Sequence, residues 1–427
     1  MNLKAAWRAL WREGPNLGPR AGKASGVGAL IAFGAVGQPV WTERRFERFA
    51  EEGYRRNVIA YRCVTEIARA IGATTWLLTE RTGATTRELE THPLLALIAR
   101  PNPLQSGPAL IEALIGHLLI AGNGYLEAVA PKGRPPIELY ALRPDRMRIV
   151  PGATGLPAAY RYTVDGRSRD FAVDQVTGRS SILHVKAFHP LDDWYGMSAV
   201  EPAAYAIDQH NQAGAWNQAL LQNGARPSGA LVLRADAGGL TDEQVERLRR
   251  DIDEQYAGAA NAGRPLLLEG GLDWRELSLS PKDMDFVAGR QQAARDIALA
   301  FGVPPMLLGI PGDNTYANLR EARLAFWEQT ILPLIELIAH ELGAWLGPRF
   351  GEDLRLSPDL DEISALSLRR ERLWAKVAGA DFLTVNEQRA ACGYAPVAGG
   401  DGAPARIVNG GRDRVPFQPP VGAGLSG

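Results

Sequence analysis

The chain has 427 residues and carries 47 lysines and arginines against 48 aspartates and glutamates, a formal charge of −1 at pH 7. Hydrophobic residues make up 46% and charged residues 22%, which excludes wholesale disorder, a collagen-like chain and a bare coiled coil. The length suggests roughly three structural units, and the balanced charge lacks the basic excess that marks many nucleic-acid-binding proteins.

The cysteine content and the apolar stretches predict a soluble, cytosolic-type protein. Cys63 and Cys392 are too few for a disulfide framework, and neither lies in a C-x-x-C pair. Charged residues interrupt Met1–Leu17, so no secretory signal is expected there. The longest apolar stretches, Gly26–Phe33 and Leu110–Ala121, fall short of the ~20 residues that a membrane-spanning helix needs.

A mobile arm is predicted at the N-terminus. The stretch Gly14–Gly37 is rich in glycine and alanine, which favours a segment without a packed core. Trp7 and Trp11 lie four residues apart among arginines, so a short amphipathic helix that docks on a partner is the alternative. Ordered structure is predicted to begin near Asn57.

The segment from about 55 to 190 is predicted to combine helices and short strands. Asn57 is suited to cap a helix that Gly72 ends. A second helix follows Ser106 and ends at the turn signal Gly122-Asn123-Gly124. Strands are predicted at Thr74–Thr79, Tyr125–Val129, Ile137–Leu142, Met147–Val150, Tyr160–Val164 and Ile182–Phe188. Helices followed by several short strands indicate an α+β unit.

Two long helices flank a compact insert in the middle of the chain. Ser198–Glu201 is a capping box that opens an alanine-rich helix to about Asn223. Ser280–Asp283 carries the cap, proline and acid of a second helix start, and Gly302 is predicted to end that helix. The insert, about 226–279, is predicted to contain a strand, a helix and two more strands.

A long helix with a kink is predicted in the last third of the chain. It follows the polar loop Pro311–Thr315, covers about Tyr316–Leu346 and is bounded by Gly347-Pro348. Pro333 lies inside it, removes one backbone hydrogen bond and clashes with the carbonyl one turn earlier, which predicts the kink.

The C-terminal part is predicted to contain two shorter helices and a tail. The helices cover about Asp361–Ala378 and Val385–Cys392, and the second begins with the capping box of Thr384 and Glu387. The composition from Pro396 onward is rich in glycine and proline, which predicts a disordered tail.

No catalytic or cofactor motif is found in the sequence. The nearest match to a nucleotide-binding loop, Gly18–Ser25, has three residues between its glycines where the phosphate cradle needs four, and Ala24 replaces the magnesium-binding hydroxyl. Ser198 is followed by Ala199-Val200 and does not form a G-x-S-x-G elbow. None of the six histidines forms H-x-x-x-H or has a cysteine nearby. We therefore expect no cofactor, no metal and no enzymatic activity.

Seven short motifs, in order along about 55–395, point to a family. They are Asn57–Ala68 (NVIAYRCVTEIA), His92–Leu95 (HPLL) with Arg100–Ser106 (RPNPLQS), Gly122–Tyr125 (GNGY), Leu142–Met147 (LRPDRM), Tyr195–Pro202 (YGMSAVEP), Phe301–Gly309 (FGVPPMLLG) and Leu383–Arg389 (LTVNEQR). With these motifs the chain resembles the portal proteins of tailed bacteriophages, the ring at the capsid vertex through which DNA enters and leaves. It is also similar to the portals of phage-like gene transfer agents, which share this compact form.

The resemblance implies a ring of twelve subunits, each with a wing, a two-helix stem, a small α/β clip and a short helical crown. The implied regions are a mobile arm (1–54), the wing (55–198), the first stem helix (199–225), the clip (226–280), the second stem helix (281–309), the tunnel loop (310–316), the long kinked wing helix (317–349), the crown (350–395) and a disordered tail (396–427). The alanine-rich stem helix suits close packing of neighbouring subunits.

The resemblance also implies which residues face DNA and partner proteins. The tunnel loop, at the narrowest point of the channel, comprises Gly312, Asp313, Asn314, Thr315 and Tyr316. The stem candidates for the channel are Lys282, Arg290, Arg295 and His210, although the spacing of the three cations does not place them on one helix face. The clip helix has a net charge of −3 and offers a docking surface at Arg249, Arg250, Asp251, Asp253 and Glu254, with a merely solvated face as the alternative.

The partners that the resemblance implies are double-stranded DNA without sequence preference, the major capsid protein, the terminase large subunit and a head–tail adaptor. The expected place is the capsid vertex of a virion or phage-like particle that assembles in the host cytoplasm. Two other hypotheses stay open at this point: a cytosolic oligomeric enzyme with an unrecognised active site, and a membrane-associated scaffold that uses Trp7 and Trp11.

Overall fold

The computed structural model of the chain describes residues 45–82, 85–153, 155–222, 229–233, 241–247, 250, 272–276, 286–312, 316–351, 353–394 and 396–402. All of them belong to one compact unit, Thr42–Gly427, and the predicted arm lies outside the described residues up to residue 44. Helices and antiparallel sheets are combined in this unit, so the predicted α+β class is confirmed.

The elements are numbered in chain order. The helices are α1 (Phe46–Arg48, continued by the π-helical segment Phe49–Arg55), α2 (Val58–Gly72), α3 (Pro93–Ala99), α4 (Gly107–Ala121), α5 (Val200–Gln222), α6 (Phe286–Ala300), α7 (Tyr316–Phe326), α8 (Leu332–Phe350), α9 (Ser367–Ala378) and α10 (Val385–Ala391). The strands are β1 (Trp76–Thr82), β2 (Thr85–Glu88), β3 (Asn123–Val129), β4 (Glu138–Leu142), β5 (Met147–Pro151), β6 (Pro157–Val164), β7 (Arg167–Ala172), β8 (Ile182–Lys186), β9 (Gly229–Leu233), β10 (Leu272–Glu276) and β11 (Leu354–Pro358).

The predicted helix starts at Asn57, Ser106 and Thr384 are confirmed by their caps. The Asn57 side chain accepts hydrogen bonds from two backbone N–H groups of α2, and the Ser106 hydroxyl accepts one from α4. Thr384 and Glu387 form the complete capping box of α10. These local motifs satisfy N–H groups that a helix start leaves without partners.

Order begins before Asn57, because α1 and its π-helical continuation precede that residue. Phe49 is buried in this segment, and Gly53 lies so close to α5 that a Cβ there would be 3.1 Å from Val200 Cγ1. The last part of the predicted mobile arm is therefore helical and packed against the start of α5, since its apolar side chains find a place in the core.

Two three-stranded antiparallel sheets make up the predicted strand-rich region. Their strand orders are β4-β3-β8 and β5-β6-β7. Strand β3 follows α4 directly through Gly122, whose φ of 72° ends the helix. Strand β7 was not predicted from the sequence, because its alternating polar residues resemble a loop. A buried cluster around Tyr125, Met147 and Phe171 joins the two sheets.

The long C-terminal helix differs from the prediction at its centre and at its end. It consists of α7, the π-helical segment Trp327–Ile331 and α8. The π-helical segment, whose turn is wider than that of an α-helix, ends just before Pro333, a residue without a backbone N–H. A kink at Pro333 stays a prediction. The predicted end at Gly347-Pro348 is wrong, because α8 continues to Gly351, where φ is 80°.

Strand β11 was also missed, and its position explains a stripe of small residues on α8. It pairs antiparallel with β1, and Asp359 N donates to Thr75 O. In such a pair every second residue turns its backbone N–H and C=O away from the partner strand, so those of Leu354 and Leu356 lie on the outer edge of β11. There, a Cβ added to Gly343 would lie 3.4 Å from Leu356 N, and one on Gly347 would lie 3.4 Å from Leu354 O. Helix α8 therefore covers the outer edge of the sheet, which prevents pairing with other chains.

The two predicted middle helices pack against each other as α5 and α6. The predicted start of the second one at Ser280–Asp283 lies outside the described residues, and its predicted end is confirmed at Gly302, with φ of 66°. In the insert, β9 and β10 pair antiparallel, and Thr241 and Gln244 cap a helix over 242–247. The remaining predicted strand of the insert lies outside the described residues.

The first residues of the predicted disordered tail are held against α10. The Asn386 side chain accepts a hydrogen bond from Val397 N and donates to Val397 O and Asp401 Oδ1, and its backbone N–H donates to Gly400 O. Residues 396–402 are thus ordered, because one buried asparagine satisfies their backbone. Residues 403–427 lie outside the described part.

One helical stretch, Asn318–Phe350, is long and apolar enough to pass a length-and-composition test for a membrane span among the described residues. Half of the most apolar 18-residue segment of this stretch is buried inside the protein, and Ile331, Ile335 and Leu342 belong to the main core. This is the pattern of a core helix in a globular protein.

Candidate functional site

Two glycines lock the start of α5 to the sheet that contains β3. A Cβ on Gly196 would lie 2.1 Å from Gly122 O, and one on Gly122 would lie 2.3 Å from Gly196 O. Ser198 completes the contact, since its hydroxyl donates to Leu119 O and accepts from Val200 N. Two of the motifs that carried the family resemblance therefore meet in space, and only residues without a side chain fit at their crossing.

Asn123 lies at the centre of this lock and uses all four of its hydrogen-bonding positions. Its Oδ1 accepts from Gly196 N at 2.8 Å and from His184 Nε2 at 2.9 Å. Its Nδ2 donates to Ala121 O and to Gly196 O. Each buried polar atom of the amide has a partner, as a rigid anchor requires.

The lock is backed by an aromatic stack. The rings of Tyr125 and His184 lie 4.4 Å apart and nearly parallel. Burial, with a smaller contribution from Lys186, lowers the pKa of His184 to about 3. Burial also raises the pKa of Tyr125. Both rings therefore stay uncharged at neutral pH.

A second polar network lies where α2, α5 and α6 meet. Asn57 Nδ2 donates to Asn211 Oδ1 at 3.0 Å and lies 3.3 Å from His210 Nδ1. Asn211 Nδ2 donates to Glu52 O at 2.9 Å. On the other side of the imidazole, Arg290 Nε lies 3.3 Å from His210 Nε2. The network thus links α5 and α6 to α2.

The structure brings together two of the predicted channel residues, His210 and Arg290, but gives them different surroundings. Arg290 is exposed, whereas His210 is 6% exposed. Burial, followed by the charge of Arg290, lowers the pKa of His210. His210 is therefore almost fully buried in the single subunit, and its role in the channel stays a prediction.

The third predicted cation, Arg295, holds the base of the predicted tunnel loop. Its Nη2 donates to Pro311 O at 2.6 Å, immediately before Gly312. Ile310 is buried against Ala294 and Ala298 of α6. The residues immediately before the loop are therefore anchored to α6. Residues 313–315 lie outside the described residues, and Tyr316 begins α7.

The other predicted site residues are only partly covered by the structure. Lys282, Arg249, Asp251, Asp253 and Glu254 lie outside the described residues. Arg250 is exposed, and its Nε donates to Glu246 O at 3.4 Å. Pro333 is exposed near the start of α8. Within the described part of the predicted clip, 241–247 is exposed throughout, as either a docking surface or a solvated face requires.

The described residues contain no cluster of three or more histidine, cysteine, aspartate or glutamate side chains suited to a metal. Burial raises the pKa of Cys63 to about 12, so this thiol is no nucleophile at neutral pH. Sequence reasoning identified Asn57 as a helix cap and missed its contacts with α5, for which the sequence carries no local signal.

Comparison with protein families places the chain among proteins of one kind. The model of the phage portal protein family matches residues 59–393. An uncharacterized protein of Rickettsia felis is 47% identical over 351 residues, which cover 82% of this chain and 90% of the relative. The portal protein of Enterobacteria phage HK97 is 26% identical over 318 residues, which cover 73% of this chain and 72% of the phage protein.

The solved structures to which the chain is similar agree with this family match. A chain from the neck of a native gene transfer agent particle, computed with C12 symmetry, is 47% identical with a TM-score of 0.64, covering 84% of this chain and 96% of that one. A chain from the neck of an empty particle of this kind is 48% identical with a TM-score of 0.66, covering 86% and 98%. An HK97-family portal protein from Corynebacterium diphtheriae shares the fold at 16% identity and a TM-score of 0.54, covering 76% and 99%.

Proposed function

The chain belongs to the phage portal protein family, and we propose that twelve copies form a ring at one capsid vertex of a virus-like particle, through which double-stranded DNA is packaged and ejected. The observation that carries this proposal is the 47% identity, over 84% of the chain, to a neck structure with C12 symmetry. A gene transfer agent particle is the favoured setting, because the neck and virion structures of such particles match at 46–48% identity.

A closed ring needs two different faces on each subunit, each complementary to the other face of its neighbour. After α5 and α6 pack together, each keeps an exposed stripe at helical spacing. The stripes comprise Tyr205, Gln209 and Gln212 on α5, and Gln292, Asp296 and Leu299 on α6. We propose that these stripes contact the neighbouring stems, because Tyr205 and Leu299 expose large apolar surface among polar side chains that a neighbouring subunit would cover.

The channel function is supported by the charge of the chain. Each phosphate that a protein neutralises adds salt-dependent affinity, so a strongly basic channel would hold DNA in place. A formal charge of −1 per subunit fits a passage through which DNA slides. The tunnel loop, Gly312–Tyr316, is proposed to line the narrowest point, and the bond from Arg295 to Pro311 fixes its base.

The partner surfaces follow from the proposed ring. The clip, 226–280, is proposed to bind the terminase large subunit and later the head–tail adaptor, since polar contacts suit partners that exchange at one surface. The crown, 350–395, is proposed to face the interior of the capsid. The wing is proposed to contact the major capsid protein.

The proposed role is structural, as is general for the portal family, and the hypothesis of an oligomeric enzyme finds no support in the comparisons. The test is the native mass of the purified chain together with electron-microscopic images. Twelve copies of 46.2 kDa give about 550 kDa, and we expect a ring with an axial hole. A compact dimer or tetramer without a channel would contradict the proposal.

A further inference from the structure

The loop between α3 and α4 presents a leucine to solvent on a fixed turn. Asn102 is 4% exposed, and its Nδ2 donates to Leu139 O at 2.8 Å and to Gln105 Oε1 at 3.3 Å. Its Oδ1 accepts from Leu104 N at 2.9 Å, so the buried amide holds the turn against β4. Leu104 itself is 86% exposed, and Ile137, two residues before Leu139, is 61% exposed. The surface named the Leu104 end comprises Leu104, Ile137, Lys132 and Arg134.

The loop between β8 and α5 presents a second apolar pair in the same way. Asp192 Oδ1 accepts from two backbone N–H groups further along the loop, at 2.7 and 2.9 Å, and His189 Nδ1 accepts from Leu191 N at 3.0 Å. The loop is therefore held by its own hydrogen bonds, yet Phe188 is 83% exposed and Leu191 is 91% exposed. The surface named the Phe188 end comprises Phe188, Leu191, Asp192 and Asp193.

The two surfaces lie at opposite ends of one sheet. Strand β4 begins beside Val129, the last residue of β3, and β8 ends beside Asn123, the first residue of β3. Ile137 immediately precedes β4, and the Phe188 end follows β8. The length of β3, about 20 Å for seven residues in an extended strand, therefore separates the two surfaces. A subunit of a closed ring needs two different faces of this kind.

The two ends carry opposite charges. The turn 130–137 contains two basic residues and no acidic one, whereas the loop 187–195 contains two acidic residues and no lysine or arginine. Three of these four charged residues, Lys132, Arg134 and Asp193, are exposed. The flanking charges are engaged within the subunit, since Glu138 accepts from a tyrosine hydroxyl of β4 and Lys186 donates to the carbonyl oxygen of Asp193. Unlike ends therefore attract each other, and like ends repel.

We propose that the Leu104 end of one subunit binds the Phe188 end of the next subunit, head to tail. Single apolar side chains are common on protein surfaces, but these two pairs lie on loops that hydrogen bonds already hold, so binding costs little ordering entropy. The contact is continuous with the proposed stem stripe on α5, because the Phe188 end leads through Gly196 into that helix. The partner is a second copy of this chain, an assignment that rests on the proposed function.

The contact is tested on the full-length protein by native mass measurement over a range of protein concentrations. Two double variants, Leu104→Ser with Ile137→Ser and Phe188→Ser with Leu191→Ser, should each raise the concentration at which the assembly dissociates about tenfold or more. The matched control, Val176→Ser, replaces a valine that is 93% exposed on the turn between β7 and β8 and should leave the assembly unchanged. Circular dichroism should show the wild-type fold in all three, because the replaced side chains are exposed.

Mixing the two double variants tests whether the unlike ends bind each other. Each variant keeps one intact end, so one copy of each forms a single good contact and no closed ring. At a concentration where each variant alone is monomeric, the mixture should contain a heterodimer of about 92 kDa, twice the subunit mass of 46.2 kDa. A mixture that stays monomeric would overturn the pairing of the two ends.

The result for the wild type separates this inference from the proposed function. A wild-type ring that both double variants leave intact overturns the inference alone and assigns the two surfaces to another partner. A wild type that shows no self-association contradicts the proposed function and the inference together. A wild-type ring that only the double variants weaken, with the heterodimer in the mixture, supports both.

Discussion

The two buried asparagine networks differ in how far they extend toward the surface. Each pairs an asparagine with a histidine, Asn123 with His184 and Asn57 with His210. Around Asn123 every donor meets an acceptor, and the Nε2–H of His184 donates to the amide oxygen. Around Asn57, the Nε2 of His210 accepts a hydrogen bond from Arg290 Nε at 3.3 Å. The first network is therefore closed by buried partners, whereas the second ends at an exposed guanidinium.

The largest expected effect comes from Gly196→Ala in the lock. The added Cβ would lie 2.1 Å from Gly122 O and 2.6 Å from Ala187 N, and neither backbone group can withdraw without breaking the sheet. We expect a chain that does not fold, measured as loss of soluble protein and of a cooperative melting transition. Gly214→Ala, in the open part of α5, is the matched control and should leave the melting temperature equal or higher. A folded Gly196→Ala protein would contradict the lock.

Asn123→Ala should have the next largest effect on stability. It removes four hydrogen bonds and leaves Gly196 N and His184 Nε2 buried without acceptors, at a cost on the order of 3–5 kcal/mol in the free energy of unfolding. Urea denaturation measures this cost. A loss below about 1 kcal/mol would show that the amide is not the anchor.

Acid should destabilise the lock through His184. Its pKa in the folded state is about 3, whereas the unfolded ring titrates near its ordinary value of 6.5. The unfolded state therefore binds the proton first, and stability falls as the pH drops from about 6.5 toward 3. The urea midpoint should decrease between pH 7.5 and pH 5 in the wild type. His184→Gln should flatten this dependence, and an unchanged slope would assign it to other groups.

Asn57→Asp should change the second network with the smallest effect on stability. Aspartate caps a helix as well as asparagine does, so α2 should keep its start. Its carboxylate would accept from the Nδ1–H of His210, while Arg290 Nε keeps donating to Nε2. We expect a raised pKa of His210 in a proton titration by NMR, because a carboxylate beside the ring stabilises its charged form. An unchanged pKa would contradict the contact between residues 57 and 210.

The sequence by itself determined the local structure of this protein. The caps at Asn57, Ser106 and Thr384 were predictable because a cap acts on N–H groups two or three residues away. The ordered motifs identified the family for the same reason, since each is contiguous. The errors at Gly347 and in β11 arose where packing against a distant element overrode the local signal.

Only the tertiary structure decided which residues meet. Asn57 and His210 are 153 residues apart, and His210 and Arg290 are 80 apart, yet one imidazole joins them. Gly122 was predicted from the sequence as part of a turn and Gly196 only as part of a motif, and only their crossing shows why no side chain is tolerated at either. Donors and acceptors at such separations are matched by the packing of helices on sheets, which residue spacing along the chain does not specify.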